Sequence, residues 1–344
     1  MRVRLRDVAE RAGVSVKTVS NVVNGYEHVS PQMRARVQAV LDETGYRPNV
    51  TARSLRAGRT GVIALAVPEL DNPYFAELAA FVVQEAGRRG WTVLIDQTDG
   101  RRDRERVVAD GLRHHLIDGL ILSPVALGYD DLAGRGPEDV ALVLIGEKLD
   151  AGPADHVAID NVAAARAATD HLLALGRTRV AAIGHQPASG RESGVAHLRL
   201  RGWEEALRHG GLEPEPRLVG QVPTFRREHG VAAMGDVLDR GLRPDAVFCF
   251  NDTLALGAMR LLADRGLRVP QDVAVVGIDD VADGRFAVPT LSTIAPDKAA
   301  IARHAVRMLA ERLEPGGHEL EARDVRASFE LVPRESTLGS ASRG

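Results

Sequence analysis

The chain of 344 residues is long enough for about two globular domains of roughly 150 residues each. Apolar residues make up 44% and charged residues 26%, which excludes a disordered tail, and no apolar run approaches the roughly 18 residues of a membrane helix. A single cysteine, Cys249, excludes a disulfide framework and a cysteine-based metal cluster. The charged N-terminus lacks the apolar segment of a secretory signal. We therefore expect a cytoplasmic protein with no membrane partner, metal or cofactor.

The net charge of −3 conceals an uneven distribution. Residues 1–60 carry 11 lysines and arginines against 5 acidic residues, whereas the remainder is acidic. A small basic unit on a larger acidic body is typical of a protein whose head meets a polyanion such as nucleic acid. Charge alone leaves a second interpretation open, in which the basic terminus is merely solvated.

The first 45 residues show the spacing of three short helices. The first helix has an apolar stripe at i, i+3, i+4 and i+7, formed by Leu5, Val8, Ala9 and Ala12. Gly13 suits the C-terminal cap of this helix, and Ser15 suits the N-cap of the second. A third helix is predicted to begin at Pro31. Two short helices joined by a three-residue turn and backed by a third predict a helix-turn-helix unit.

The second predicted helix has a small, polar face that suits the major groove. Lys17 is suited to donate to guanine, Asn21 to bind adenine through two hydrogen bonds, and Val16 to contact a thymine methyl group. Short side chains around them suit phosphate oxygens, which fix register and do not read sequence. These are Ser15, Thr18, Ser20 and Asn24, and His28 and Ser30 just after the helix are further candidate DNA contacts. The alternative interpretation is an ordinary solvated helix.

Residues 50–57 form a basic segment of about two helical turns, which is too short to be stable alone in water. It carries one large apolar residue, Leu55, that has no local core to join. A leucine on a cationic segment is suited to act as a minor-groove wedge that unstacks a base step. Arg53 is a further candidate DNA contact in this segment. The alternative is a flexible linker with an incidental leucine.

Residues 5–65 contain four distinctive motifs, which read DVAERAGVS, TVSNVVN, GYRPN and ARSL. In these motifs the chain resembles the head and hinge of the LacI/GalR family of bacterial transcription repressors. The resemblance implies that Val16, Lys17 and Asn21 occupy base-reading positions and that Leu55 is the intercalating leucine of the hinge. It also implies a homodimer that binds a pseudo-palindromic double-stranded DNA operator.

From Gly61 onward, apolar runs alternate with amphipathic stretches, a pattern typical of parallel sheets with helices on both faces. The first set of buried strands is predicted at Val62–Val67, Trp91–Ile95, Gly119–Leu122 and Ala141–Ile145, with helices near 74–89, 102–115 and 128–136. The second set is predicted at Val180–Gly184, Arg217–Val219, Ala246–Phe250 and Val273–Gly277, with helices near 161–175, 201–210, 228–240 and 252–265. The predicted body is therefore α/β, with two doubly wound parallel-sheet subdomains in tandem.

We expect five segments in the chain. The predicted bounds are 1–47 for the helix-turn-helix head, 48–60 for the hinge, 61–160 with 294–324 for the N-terminal effector subdomain, 161–293 with 325–337 for the C-terminal effector subdomain, and 338–344 for a tail. The family resemblance extends more loosely to about residue 337 and implies a body like that of periplasmic binding proteins. A weak echo of DGLIL at 118–122 in DAVFC at 245–249 indicates an old duplication.

Ligands of parallel sheets bind beyond the carboxyl ends of the strands, so two facing subdomains are predicted to enclose one cleft. Polar residues and aromatic neighbours after the predicted strands suit a neutral polyhydroxylated or heterocyclic ligand. Carried over position by position, the resemblance implies an effector pocket formed by Tyr74, Phe75, Asp160, Arg199, Phe225, Asn251 and Asp279. Arg199 is suited to donate two hydrogen bonds to a ligand hydroxyl pair or carboxylate. Judged on the residues alone, Asp160 also suits a helix cap, and Phe75 a core position.

The sequence contains no phosphate-binding glycine-rich loop, no HExxH and no GxSxG. Together with the family resemblance, this indicates a transcription repressor and not an enzyme. Its operator affinity is expected to change when a small-molecule effector binds, and a sugar or sugar derivative is expected because such effectors are frequent in the family. Two alternatives stay open. One is an activator with the same parts, and the other is a solute-binding transport protein, which would need a signal peptide and no DNA-reading head.

Overall fold

The computed structural model describes residues 3–23, 26, 28–46, 59–110, 116–136, 139–146, 154–187 and 194–339. The chain divides into two units, Met1–Gly61 and Val62–Gly344. The first is helical in its described residues, and the second contains two six-stranded sheets with helices packed on them. The predicted fold class, a helical head with an α/β body of two sheets, is confirmed.

The described residues of the first unit form three helices: α1 (Leu5–Ala12), α2 (Val16–Val23) and α3 (Pro31–Thr44). α1 ends at Gly13, whose φ of 61° lies in the left-handed region that glycine adopts without strain. The apolar stripe of α1 packs against residues of the other two helices, in a core of Val8, Ala9, Ala12, Val19, Val22, Val37 and Leu41. The predicted helix-turn-helix arrangement, backed by a third helix, is confirmed.

The first subdomain of the body contains a sheet of six parallel strands. These strands are β1 (Val62–Val67), β2 (Thr92–Gln97), β3 (Gly119–Leu122), β4 (Ala141–Ile145), β5 (Asp155–Ala158) and, from much later in the chain, β11 (Asp324–Arg326). Their order across the sheet is β11-β5-β4-β3-β1-β2. Its helices are α4 (Pro73–Gly87), α5 (Arg102–Ala109) and α11 (Lys298–Leu313). Of these, α11 packs against β3, β4, β5 and α4.

The second subdomain repeats this plan. Its strands are β6 (Val180–His185), β7 (Val219–Gln221), β8 (Ala246–Cys249), β9 (Ala274–Ile278), β10 (Ser292–Pro296) and β12 (Phe329–Val332). Their order is β12-β10-β9-β8-β6-β7, and only β12 runs antiparallel to its neighbour. Its helices are α6 (Asn161–Ala174), α7 (Val195–His209), α8 (Arg227–Asp239), α9 (Asp252–Asp264), α10 (Ala282–Phe286) and α12 (Glu335–Leu338). The strands that carry the echoing sequences, β3 and β8, hold the same position in the two sheets.

The chain crosses between the two subdomains three times. The crossings lie between β5 and α6, between β10 and α11, and between β11 and β12. The boundaries predicted at 294 and 325 are therefore misplaced, because they cut through β10 and β11. Each of these strands continues to its own end, at Pro296 and Arg326, before the chain changes subdomain.

Some predicted elements of the first subdomain also need correction. β2 is the edge strand of its sheet and is mostly exposed, whereas a buried strand was expected. The helix expected near 128–136 is one 3-10 turn at Tyr129–Asp131, followed by bends. This stretch contains Gly128, Gly134 and Gly136, which disfavour a helix. The helix expected near 102–115 ends at Ala109, and residues 111–115 lie outside the described ranges.

In the second subdomain, a 3-10 turn at Pro216–Leu218 displaces the expected strand to Val219–Gln221. The helix expected near 201–210 begins earlier, at Val195. The sequence patterns also missed β5, β10, β11 and β12, along with α10, α11 and α12. Across the described ranges, no helix combines the length and the apolar character needed to cross a bilayer. The same ranges contain no group of three His, Cys, Asp or Glu side chains arranged to hold a metal ion.

A buried ion cluster joins three elements of the first subdomain. Asp155, at the start of β5, is fully buried. Its carboxylate oxygens accept hydrogen bonds from Arg312 on α11 at 2.9 and 3.0 Å, and from the Arg323 guanidinium just before β11 at 2.8 and 3.2 Å. Burial alone would raise the pKa of Asp155, but these arginine hydrogen bonds outweigh it and lower the pKa. The ionised carboxylate therefore fixes the late strand β11 to the sheet.

We predict that Asp155→Asn lowers the free energy of unfolding by about 3 kcal/mol near pH 7, because it leaves two arginines without their buried counter-ion. Since the folded-state pKa is depressed, this stabilisation is present above the pKa of the unfolded state and is lost as pH falls through the folded-state value. Chemical denaturation between pH 3 and 7 measures both effects. Asp264→Asn, which removes an exposed partner of Arg260, is the control, with an expected loss below about 0.5 kcal/mol. Equal losses in the two variants would contradict the assignment.

Candidate functional site

The outer side of α2 carries the predicted base-reading residues. Val16 is 41% exposed, Lys17 is exposed and Asn21 is half-buried. Val19 and Val22, on the opposite side of the helix, belong to the core of the unit. One apolar group, one cation and one amide therefore lie on the solvent side of a single short helix, which is the chemistry that reads base edges in a major groove.

The other described candidates for DNA contact surround these residues. Ser15 and Ser30 are exposed, and their hydroxyl oxygens accept the backbone N–H groups that begin α2 and α3. The hydroxyl groups of Ser15 and Thr18 lie 2.9 Å apart. Ser20 is half-buried and His28 is exposed. The remaining candidates, which lie outside the described residues, are Asn24, Arg53 and Leu55.

In the body, a cavity of about 300 Å³ lies beyond the carboxyl ends of strands from both subdomains. Six of the seven predicted pocket residues line it: Tyr74, Phe75, Arg199, Phe225, Asn251 and Asp279. This placement agrees with the general position of ligand sites in parallel sheets. The cavity is therefore the candidate ligand site of the body.

Asp160 is the exception, because it does not line this cavity. The residue is exposed, and its carboxylate accepts the Ala163 N–H at 3.0 Å, which makes it the N-cap of α6. Because the chain turns into α6 directly after β5, the side chain points along the helix start. The next residue, Asn161, lines the cavity.

The guanidinium of Arg199 is held by the protein. The residue lies on α7 and is 7% exposed. Its Nε donates to Oδ1 of Asn161 at 3.0 Å, and a terminal nitrogen donates to the Phe250 carbonyl oxygen. A buried cation requires such partners, since desolvation without them is costly. The pair of hydrogen bonds that Arg199 was expected to offer a ligand is therefore at least partly committed to the protein.

Asn251 and Asp252 begin α9 and support the cavity wall. Oδ1 of Asn251 accepts the Leu254 N–H at 2.9 Å, and its Nδ2 donates to Oγ1 of Thr253 at 2.5 Å. Asp252 is fully buried, and burial, followed by the nearby charge of Asp279, raises its pKa. Its two carboxylate oxygens accept the Thr293 hydroxyl at 2.7 Å and the Val281 N–H at 3.0 Å. Asp252 therefore binds the segment after β9 to the start of α9.

Asp279 differs from the other carboxylates of this region. It is 6% exposed and lines the cavity directly after β9. Within the described part of the chain, no donor hydrogen-bonds to its carboxylate oxygens, although its backbone groups are bonded. Burial raises the pKa of Asp279 to about 6, and the positive charges of Arg199 and Lys298 oppose that rise. A buried carboxylate that faces a cavity without a protein donor is suited to accept hydrogen bonds from a ligand.

Three aromatic side chains also lie among the described lining residues. Tyr74 and Phe75, in the first turn of α4, have ring centroids 5.2 Å apart in an edge-on arrangement. Phe225 lines the cavity from the segment after β7. Burial, and then the charge of Asp279, raise the pKa of Tyr74, so its phenol stays protonated and able to donate. Flat apolar faces and a phenol hydroxyl complete the chemistry of the cavity.

Several lining residues were not among the predicted pocket residues. Ser123, Gly146, Gln186 and Thr224 follow β3, β4, β6 and β7 and line the cavity. The strand-end rule that selected the other candidates applies to them as well. The strands before Ser123 and Gly146 were predicted with the observed ends, so the rule could have selected both, whereas β6 and β7 end one and two residues beyond their predicted ends. Glu105 does not line the cavity but shapes its wall indirectly. Its buried carboxylate accepts the N–H groups of residues 125–127 at 2.8 to 2.9 Å and so shapes the segment that follows Ser123.

A helix-turn-helix unit followed by a body that encloses a ligand cavity defines a ligand-binding transcriptional regulator. A family model described as "Bacterial regulatory proteins, lacI family" matches residues 4–49, and one described as "Periplasmic binding protein-like domain" matches residues 169–337.

Relatives match over most of the chain. It is 33% identical over 299 residues to the HTH-type transcriptional regulator DegA of Bacillus subtilis, with 86% of this chain and 87% of that protein covered. It is 32% identical over 313 residues to the ribose operon repressor of Haemophilus influenzae, with 90% and 92% covered. The structure of the lac repressor dimer bound to operator and the anti-inducer ONPF superposes with a TM-score of 0.85 at 29% identity, with 98% and 99% covered. The chain belongs to the LacI family of bacterial regulatory proteins.

We predict that Asp279→Asn stabilises the protein near pH 7.5, by up to about 3 kcal/mol. The folded-state pKa of this acid is raised to about 6, so the ionised carboxylate destabilises the fold, and this cost grows as pH rises from the unfolded-state value of about 4 towards 6. Asparagine removes the charge and is nearly isosteric with aspartate, so it places no larger side chain on the backbone of this position, where φ is 125°. Chemical denaturation of both proteins at pH 5 and pH 7.5 measures the gain. A variant less stable than the wild type at pH 7.5, or a gain in stability that does not depend on pH, would show that the ionised Asp279 carboxylate does not destabilise the fold.

Proposed function

We propose that this protein is a homodimeric transcriptional repressor whose operator affinity changes when a neutral sugar or sugar derivative binds in the cavity of the body. The single observation that carries this proposal is the Asp279 carboxylate. It is buried, faces the cavity and accepts no hydrogen bond from the described residues. A hydroxyl pair of a ligand would supply the missing donors.

The lining favours an uncharged, hydroxylated ligand. Aromatic faces suit the apolar face of a sugar ring or a heterocycle, and the amides of Asn72 and Gln186, which bond the Tyr74 N–H and the Pro223 carbonyl oxygen, add polar groups to the wall. Among the described lining residues, the charged ones are Glu69, Asp99 and Asp279 and one cation, Arg199, whose guanidinium already donates to two protein acceptors. Glu69 and Asp99 are ion-paired with Arg226 and Arg104, so the charge that disfavours a phosphate or carboxylate on the ligand is mainly that of Asp279.

The head is proposed to read DNA as the family resemblance implies. Val16, Lys17 and Asn21 contact base edges, and the smaller polar residues around them contact phosphates. These proposed phosphate contacts are Ser15, Thr18, Ser20, Asn24, His28, Ser30 and Arg53. Leu55 is proposed to enter the minor groove at the centre of the operator.

A homodimer is supported by the edge strand of the first subdomain. Leu94 and Ile95 on β2, and Val83 on the adjacent helix α4, are large apolar side chains that remain exposed. An exposed apolar edge strand favours pairing with another surface. The related lac repressor is described as a dimer on its operator. Two identical heads would require an operator of two related half-sites.

Thermal unfolding against matched pairs of ligands tests the body. The pairs are glucose and glucose 6-phosphate, ribose and ribose 5-phosphate, and galactose and galacturonate, with free nucleobases as a further class. A ligand at 100 times its Kd adds about 2.7 kcal/mol of stability, which raises Tm by several degrees. We expect a neutral sugar to raise Tm and its anionic partner to do so less. Stabilisation by the anionic members alone, or by nucleobases alone, would reject the proposed ligand class.

Site selection from random duplex DNA tests the head. We expect the wild type to enrich a motif of two half-sites, and Asn21→Ala to lose preference at one base pair in each half-site, at a cost of about 1–3 kcal/mol. Gln38→Ala, on the exposed surface of α3, is the matched control and should leave the motif unchanged. An unaltered motif in Asn21→Ala would remove this residue from the base-reading set. An operator that raises transcription when bound would make the protein an activator.

A further inference from the structure

Lysine is rare in this chain, which contains three lysines against 41 arginines. One of them, Lys298, is the first residue of α11, directly after the chain crosses from the second subdomain to the first. Its side chain is only 9% exposed. A buried ammonium group is costly unless every donor is used, so its partners indicate what it does.

The Lys298 ammonium group has three acceptors, one for each of its protons. They are Oε2 of Glu77 at 2.5 Å, the Asp279 carbonyl oxygen at 2.7 Å and the Asp280 carbonyl oxygen at 3.1 Å. A tetrahedral ammonium on a slender stem suits three convergent acceptors, whereas a planar guanidinium does not. The three convergent acceptors therefore explain why this position is a lysine in a protein that contains many more arginines.

Two of these acceptors belong to a strained stretch of backbone. Asp279 has φ of 125° and Asp280 has φ of 48°, in the region of positive φ that residues with a side chain rarely adopt. Such conformations persist only where surrounding contacts hold them. Lys298 holds the carbonyl groups of both residues, and the first of them bears the carboxylate that faces the cavity.

Glu77 completes the arrangement from α4. Its Oε2 accepts from Lys298, and its Oε1 accepts the Ala282 N–H at 2.9 Å. Two side chains on helices of the first subdomain therefore contact residues 279–282 of the second subdomain. Contact across the subdomains and the position of the cavity carboxylate depend on the same hydrogen bonds.

We propose that Lys298, with Glu77, is a positioning residue for the ligand site: it holds the strained backbone of Asp279 and Asp280 so that the Asp279 carboxylate faces the cavity while the two subdomains are in contact. Separation of the subdomains removes these hydrogen bonds and releases the segment 279–282. The proposal rests on the proposed function only in treating Asp279 as a ligand contact.

Another contact across the cavity provides a matched control. Arg226, after β7, donates to Oε1 of Glu69 at 3.0 and 3.1 Å. This contact also joins a cation of one subdomain to an acid of the other, but neither residue touches the segment 279–282. Replacing each cation with methionine therefore separates the effect on this segment from the general effect of losing an ion pair.

Hydrogen exchange measured by mass spectrometry on the full ligand-free chain tests the proposal. In the wild type, the N–H groups of Asp279, Val281 and Ala282 are hydrogen-bonded and should be protected. We expect Lys298→Met to speed exchange of a peptide covering 279–284 by about tenfold. Peptides from α8 and β6 should change less than about twofold. If Lys298 had only a general structural role, its loss would speed exchange throughout the subdomain, including these peptides. Arg226→Met should leave 279–284 unchanged.

Two further variants keep the proposal open to refutation if Lys298→Met does not fold. Lys298→Arg keeps the charge but not the three-acceptor geometry, and should also speed exchange of 279–284. Glu77→Gln keeps an oxygen for the Ala282 N–H and should have a smaller effect. Unchanged exchange at 279–284 in the lysine variants, or an equal rise across the whole body, would overturn the proposal. These hydrogen-exchange measurements use the ligand-free protein, so a failure of this proposal can be distinguished from a failure of the proposed function in the ligand panel.

Discussion

The structure of the body depends on how it accommodates the carboxylates that meet at the end of β9. Asp280 forms ion pairs of 2.5 Å with Arg285 and Arg334, which lower its pKa although burial acts to raise it. Asp252 is bonded to a hydroxyl and a backbone N–H. Asp279 alone receives no such hydrogen bond within the described residues, and its carboxylate faces the cavity. The fold therefore supplies hydrogen-bond donors to Asp252 and Asp280, and we propose that a ligand supplies them to Asp279.

From this arrangement we expect the proposed ligand site to cost stability. A carboxylate without a donor destabilises the ligand-free protein, and a ligand that supplies hydroxyl groups regains that energy only on binding. Because residues from both subdomains line the cavity and hold the segment after β9, binding acts on both subdomains at once. A ligand shifts the equilibrium between two arrangements of the body only by its difference in affinity for them. That difference is the energy available to regulate DNA binding.

Many of the strands and several of the cavity residues could be predicted from the sequence, and the incorrect predictions have physical causes. Apolar runs located the central strands, and the strand-end rule with the family resemblance located Tyr74, Phe225 and Asp279. The same rule also selected Asp160, which does not line the cavity, because a polar residue between a strand and a helix also suits an N-cap. Periodicity did not reveal that Arg199 would be held by Asn161 and Phe250, because that contact joins residues on separate elements. Likewise, β2 is exposed because it lies at the edge of its sheet, and the local sequence pattern does not specify the order of the strands.

If ligand binding at Asp279 controls DNA affinity, as we propose, the effect of the ligand on operator binding must depend on this carboxylate. Fluorescence anisotropy on the site-selected operator would compare the wild type with Asp279→Asn, using the sugar that most raises the Tm of the wild type. We expect the sugar to change the operator affinity of the wild type at least about fivefold and to leave that of the variant unchanged. A sugar that binds the wild type without changing its operator affinity, or that acts equally on the variant, would contradict it.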